Sequence, residues 1–180
     1  MLLIRHAESL GQAPDADLSP KGQEQARALT PQLKNMGVTE LFSSPYRRAI
    51  ATVAPFAESA GLQIRTIDDL RERKLGEGLL PDFLVHMERS FADERYCLPG
   101  CESLVATAER GIRGLAEVDL SAQSGNPAVA SHGNLIASVI RTLDPHFGFD
   151  AWKAMKNPDL FHVEFENGRL VAYQRLEPTR

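Results

Sequence analysis

Two histidines and a set of arginines stand where short apolar runs stop. Met1-Leu2-Leu3-Ile4 ends on Arg5-His6, and Ala128-Val129-Ala130 ends on Ser131-His132-Gly133-Asn134. A third run, Leu41-Phe42-Ser43, leads through Ser44-Pro45 to Arg47 and Arg48. A neutral imidazole can attack phosphorus in line, and two guanidinium groups with a helix amino terminus suit the peripheral oxygens of a phosphoryl group. A glutamate nearby would protonate the departing oxygen and then deprotonate water. Taken singly, each of these residues has a plainer reading, because histidines and arginines are more often satisfied or solvated side chains than catalysts. Their convergence at one place carries the argument.

That convergence requires a scaffold joining the three run-ends. Apolar runs of three or four residues with no helical period read as buried strands, and open parallel sheets bind ligands outside the carboxyl ends of their strands. The expected fold is a three-layer α/β/α sandwich with a mainly parallel central sheet, Met1 to Ile4 and Ala128 to Ala130 lying in its middle. Gly11 to Leu18, polar and proline-containing, reads as a loop over the crevice.

The helices follow from spacing and caps. Ser19-Pro20 opens one carrying Ala26, Leu29, Leu33 and Met36, with Pro31 expected to kink or interrupt it and Gly37 to end it. Ser44-Pro45 repeats that start for a second helix reaching about Gly61, placing Arg47 and Arg48 in its first turn. Cations are disfavoured at that end unless an anion binds there. Gln63 to Ile67 reads as a third strand. Phe83, Leu84, Met87 and Phe91 predict a mostly core-facing helix capping the site, with Arg89, Arg95 and Tyr96 as candidates to meet substrate. Leu104, Ala108, Ile112 and Leu115 outline a helix over about Cys101 to Val118. Leu135, Ile136, Val139, Ile140 and Leu143 continue from His132 as a helix, so the amides around Gly133 and Asn134 face the same edge. Phe161, Val163 and Phe165 alternate with polar residues, Asn167-Gly168 turns, and Leu170 to Tyr173 returns as a hairpin finishing one edge of the sheet.

With 180 residues the chain suits one domain, 1–180, in which 73–100 is the only segment available as a lid. A net charge of −4 argues against a nucleic-acid partner, whose phosphates would call for a basic face. No apolar run approaches the roughly 20 residues needed to span a bilayer, and no secretory signal opens the sequence, so a cytoplasmic location without membrane attachment is expected. Cys97 and Cys101 then read as free thiols, and His86, His146 and His162 as structural or surface residues. There is no glycine-rich lysine loop, metalloprotease helix or Gly-x-Ser-x-Gly elbow. Nothing in the sequence sets an oligomeric state.

Arg5-His6-Ala7-Glu8-Ser9, Ser43-Ser44-Pro45-Tyr46-Arg47-Arg48-Ala49, Leu70-Arg71-Glu72 followed by Gly76, and Ser131-His132-Gly133-Asn134 occur in that order. Together they resemble the motifs of the histidine phosphatase superfamily, which includes the cofactor-dependent phosphoglycerate mutases and many phosphomonoesterases. The resemblance implies that His6 becomes phosphorylated, that Arg5, Arg48 and His132 bind the phosphoryl oxygens, and that Glu72 acts as acid and then base. It selects Arg48 over Arg47 because Arg48 precedes Ala49. Ser9, Gln12, Gly133 and Asn134 would complete the surroundings of a small phosphorylated substrate, with no metal or cofactor. Ala7 stands where glycine is commonest in the family, and Gln12 where mutases usually carry an asparagine. The short lid favours a phosphatase over a mutase. An inactive phosphate-binding module would normally have lost His6 or Glu72, and the sequence keeps both. Glu8 and Glu77 are the next candidates should Glu72 prove to be a surface carboxylate.

Overall fold

The computed structural model describes residues 1–76, 80–122, 125–166 and 168–176. Its central sheet has six strands: β1 (Leu2–Arg5), β2 (Glu40–Ser43), β3 (Ile64–Thr66), β4 (Pro127–Ser131), β5 (Asp159–Glu166) and β6 (Arg169–Leu176). Their order is β3-β2-β4-β1-β5-β6. The first four run parallel, and the β5–β6 hairpin is added antiparallel along β1. The two histidine-bearing strands, β1 and β4, are neighbours in the middle, so their carboxyl ends open side by side.

Alternation along these strands sorts the core into two layers. Leu2, Ile4, Leu41, Ala128 and Ala130 face a cluster with Leu29 and Leu33 of helix α1 (Pro20–Asn35) and Val53 and Phe56 of α2 (Arg47–Ala60). Leu3, Phe42, Val129 and Phe161 face the opposite cluster, made with Leu115 and Val118 of α4 (Leu104–Ser121) and Leu135, Ile136, Val139 and Ile140 of α5 (Gly133–Arg141). Met87 and Phe91 of α3 (Phe83–Ala92) join that second layer, beside the short helix α6 (Phe149–Lys153). Strands covered on both faces need continuous apolar runs, which is why the period-2 pattern is invisible in Leu2-Leu3-Ile4. The three-layer α/β sandwich expected from the sequence is the fold observed.

Several local expectations need correction. α1 runs unbroken through Pro31. Proline there removes one internal hydrogen bond, but its ring is exposed while Leu29 and Leu33 on either side are buried, and their packing holds the two halves in line. α2 begins at Arg47, two residues after the anticipated proline, with Tyr46 as its uncapped entry residue. Ser44 is thereby released for another task. The apolar stripe of α3 is only half core: Met87 and Phe91 are buried, whereas Phe83 and Leu84 are exposed, Phe83 lying beside Trp152 of α6. The third strand is shorter than read, and α4 starts at Leu104 behind Ser103, whose hydroxyl accepts from the Ala106 amide at 3.2 Å. Asn167 of the hairpin turn and Glu77 lie outside the described residues, as does part of the 73–100 segment.

The loop after β1 is docked on the start of α1. Ser19 N–H donates to the Glu8 carbonyl at 2.9 Å, and its hydroxyl both donates to Glu8 Oε1 and caps the Gly22 amide. Gly22 permits this: a Cβ there would lie 1.9 Å from the Glu8 carbonyl oxygen.

Candidate active site

His6 leaves the carboxyl end of β1 and is 5 % exposed. Its Nδ1 lies 2.6 Å from the Ala7 carbonyl, which only accepts, so Nδ1 carries the proton. Nε2 therefore presents a lone pair, and it accepts from Arg48 Nε at 3.1 Å. Burial, opposed by the Ala7 contact and reinforced by Arg48 and Arg5, pushes the pKa of His6 down to about 3. The imidazole is neutral, with the lone pair of Nε2 turned to Arg48. Its backbone is held as well, the Asn157 amide donating to the His6 carbonyl at 2.7 Å.

Arg48 is fully buried in the first turn of α2. Besides His6 it donates through Nη1 to the carbonyls of Gln12 at 3.1 Å and Ala13 at 3.0 Å, tying down the loop that the sequence placed over the crevice. Thr52, one turn on, donates to the Arg48 carbonyl and accepts from the Ala7 amide, so one hydroxyl joins the loop after β1 to the helix that carries Arg48. Arg47 lies outside, with its side chain exposed and paired with Asp17 at 2.6 Å. The geometry thus separates two adjacent arginines into one buried and one solvated.

His132 follows β4 and is fully buried, its ring 5.2 Å from that of His6. Its Nε2 is 2.7 Å from the Ser44 hydroxyl, which also accepts from the Tyr46 amide. Burial and then the charge of Arg48 hold His132 well below the usual histidine range. Tyr46 walls the pocket, its ring 5.1 Å from His132 and 5.0 Å from the Arg48 guanidinium carbon. Arg5 donates through Nη1 to the Met155 carbonyl at 2.8 Å and lies flat over Gly133, where a Cβ would approach its Nε to 3.0 Å.

Glu72 reaches the same place from the segment after the turn Asp68–Leu70. Its carboxylate accepts from the amides of Arg73 at 2.8 Å, Leu135 at 3.2 Å and Asn134 at 3.4 Å. The amides at the start of α5 do open on this edge, and the acceptor they meet is Glu72, which takes those of Asn134 and Leu135. A helix start without a side-chain cap of its own needs an acceptor, and a carboxylate suits the positive end of its dipole. Desolvation nonetheless raises the Glu72 pKa, against the pull of the Arg73 amide, Arg48, the Asn134 amide and Arg5. It is the one carboxylate with a raised pKa among those showing a resolved shift.

The remaining candidates are placed less centrally. Ser9 turns its hydroxyl to the Gly11 carbonyl, and Gln12 contributes its carbonyl to Arg48 while its side chain is exposed. Glu8, a reserve acid, is engaged by Ser19 and by Lys21 at 3.1 Å. Among the described residues, buried side-chain polar atoms without a partner are Arg5 Nε, Arg48 Nη2, His132 Nδ1, Asn134 Oδ1 and, on α1, Thr30 Oγ1. Four of these five belong to the residues just described. Buried polar groups are normally satisfied, so such a cluster marks where a polar ligand fits. Ser44, Thr52 and Asn157 escaped the sequence reading, for Ser44 looked like a helix cap and the other two act across 45 and 151 residues of chain. Also among the described residues, no group of three His, Cys, Asp or Glu side chains is placed to hold a metal, both cysteines are free, and no helix is long and apolar enough to cross a membrane.

The chain is 26 % identical to the probable phosphoglycerate mutase GpmB of Escherichia fergusonii, over 94 % of this chain and 86 % of the relative. Among solved structures it superposes on a mycobacterial glucosyl-3-phosphoglycerate phosphatase in complex with VO3 with a TM-score of 0.78 and 25 % identity, covering 97 % and 96 % of the two chains. A phosphoserine phosphatase from Entamoeba histolytica shares the fold, with a TM-score of 0.78, 21 % identity and coverage of 98 % and 96 %. The family model of the histidine phosphatase superfamily, branch 1, matches residues 1–175, and the chain belongs to that superfamily.

Proposed function

We propose that this protein is a metal-independent phosphomonoesterase that hydrolyses a small phosphorylated metabolite through a phosphohistidine on His6. The observation that carries the reading is the meeting of a neutral His6 Nε2 with three unpartnered buried groups, Arg5 Nε, Arg48 Nη2 and His132 Nδ1. On binding, Arg48 Nε passes its hydrogen bond from Nε2 to a phosphoryl oxygen, freeing the lone pair for in-line attack. The N–P bond forms as the P–O bond to the leaving alcohol breaks, and the proton of Glu72 goes to the departing oxygen. Glu72, now a carboxylate, takes a proton from water as that water attacks phosphorus. The N–P bond breaks, phosphate leaves, and His6 is neutral again. Arg5, Arg48 and His132 hold the peripheral oxygens throughout, the positioning and charge stabilisation that phosphoryl transfer asks for. Segment 73–100 serves as the lid, and Ser9, Gln12, Gly133 and Asn134 border the substrate within one domain.

Glu72→Gln tests the acid. It should slow phosphohistidine formation from an alkyl phosphate by roughly 10²-fold or more and from an activated aryl phosphate much less, while hydrolysis of the intermediate suffers for both. Single-turnover rates read the two steps apart, and unchanged rates would remove Glu72 from the chemistry.

The curated relatives named as probable phosphoglycerate mutases favour a second reading, phosphoryl transfer back to a phosphoglycerate. A panel of phosphomonoesters that includes 3-phosphoglycerate and its glucosyl derivative decides between them. Phosphate release with no isomerised phosphoglycerate is the expected result, and isomerisation without release would establish the mutase.

A further inference from the structure

We propose that Arg110, on α4, is a positioning residue for Glu72: together with Glu102 it clamps the segment Asp69–Glu72 so that the carboxyl is held at the start of α5, near Arg48 and Arg5. The proposal rests on the reading of Glu72 as the acid. Arg110 is 4 % exposed and meets Glu102 as a fork, Nε to Oε1 and Nη2 to Oε2, both at 2.8 Å. Its Nη1 donates to the carbonyls of Asp69 at 2.8 Å and Arg71 at 2.9 Å, and Nη2 also reaches that of Glu72 at 3.5 Å. A guanidinium has five N–H donors, and all are used. Arg110 has none left for a substrate, which excludes a catalytic role and leaves a mechanical one.

Glu102 extends the clamp beyond Glu72. Its Oε2 accepts from the Lys74 amide at 2.9 Å, its own amide donates to the Lys74 carbonyl at 2.8 Å, and its carbonyl accepts from Arg73 Nε at 2.8 Å. Arg73, also buried, continues to the Ser90 hydroxyl of α3 at 3.0 Å. The acid-bearing segment is therefore gripped from α4 on one side and from α3 on the other. Arg110 touches the backbone of Glu72 and not its carboxyl, so its effect is transmitted by geometry. Lysine at this position would keep the charge and lose the fork, which separates the two kinds of influence.

The test uses the full chain with Arg110→Lys, Arg110→Gln and Glu102→Gln, each checked for folding by near-ultraviolet circular dichroism. Single-turnover phosphohistidine formation is measured with 4-nitrophenyl phosphate and with the best alkyl phosphate of the panel. Positioning predicts that Arg110→Lys slows the alkyl substrate about tenfold or more and the aryl substrate about twofold or less, because only the alkyl leaving group needs the proton. It also predicts that Glu72→Gln combined with Arg110→Lys is no slower than Glu72→Gln alone. Equal losses on both substrates, additive losses, or full rescue by lysine would overturn it. Should Arg110 variants not fold, Glu102→Gln, which leaves the arginine's carbonyl contacts in place, must show the same leaving-group split. An independent readout is the titration of Glu72 by carbon-13 NMR, assigned with Glu72→Gln. A shift of about one unit or more in folded Arg110→Lys supports the clamp, and an unmoved titration refutes it. Wild-type protein inert toward every phosphomonoester would defeat the proposed function, and the titration would still decide the role of Arg110.

Discussion

Arg48 and Arg110 are buried to nearly the same degree, at 0 % and 4 % exposure, yet their hydrogen bonding is opposite. Arg110 spends every donor on one carboxylate and three carbonyls of its own chain. Arg48 donates to His6 and two loop carbonyls and keeps Nη2 without a partner. A saturated guanidinium fixes protein to protein, whereas a buried guanidinium that keeps a donor unsatisfied is suited to a polar group that arrives. The difference separates an arginine saturated by its own chain from one that keeps a donor open, a distinction that burial and charge alone do not make, and it supports the chemical role proposed for Arg48 and the architectural one proposed for Arg110.

The most severe way to break this contrast is to remove what Arg48 serves. His6→Ala should abolish turnover and phosphate labelling while leaving the fold intact, since His6 sits at a strand end. The label on wild-type protein should be acid-labile and alkali-stable, and an acid-stable phosphoserine would overturn the assignment of the nucleophile.

Next in size is the exchange of each arginine for lysine. Arg48→Lys should lower the rate of phosphohistidine formation by about 10²- to 10³-fold, the usual cost of losing a preorganised donor. Its stability in urea should fall less than that of Arg110→Lys, which gives up the fork to Glu102 and contacts to as many as three partly buried carbonyls, each worth at most the roughly 1–3 kcal/mol of a fully buried group left unsatisfied. Equal losses of stability in the two variants would erase the distinction.

The smallest effect is on stability against pH, and it has a definite sign. His6, lowered to about 3, and His132, lowered well below 6.5, bind fewer protons folded than unfolded. They contribute stability that is present above about pH 6.5 and is lost as the pH falls toward 3. Glu72, raised above the ordinary carboxylate range by burial, acts in the other direction: its contribution is present below that range and is lost as the pH rises through its folded pKa. Urea unfolding across this range should show a steep acid limb that His6→Ala flattens. An unchanged limb would mean that His6 titrates normally.

Much of the layout was legible because it is written locally. Met1 to His6 and Ala128 to Asn134 are contiguous signals, each an apolar strand ending in polar residues, and the sheet did place them side by side. Choosing Arg48 over Arg47 came from likeness to a family, and the coordinates separate the two by burial. What stayed hidden spans long stretches of chain. Nothing in the sequence near Ser44 announces a partner 88 residues away at His132, nor does Glu72 announce that it will cap α5. Arg110 did leave a trace, for it lies on the buried face of α4 with Thr107, Gly111 and Gly114, where a charge demands explanation. Periodicity shows that such a residue is inside without naming its partner.

Gly22 bears on how this protein can be engineered. Exchanging helix glycines for alanine is a common route to thermostability, worth about 0.4–1 kcal/mol where the backbone tolerates it. Gly22 has ordinary helical geometry and would pass such a screen, but the added methyl would collide with the Glu8 carbonyl, two residues past His6. To admit it, α1 or the loop that follows His6 must give way, so a substitution made to stiffen a helix would instead disturb the backbone beside His6.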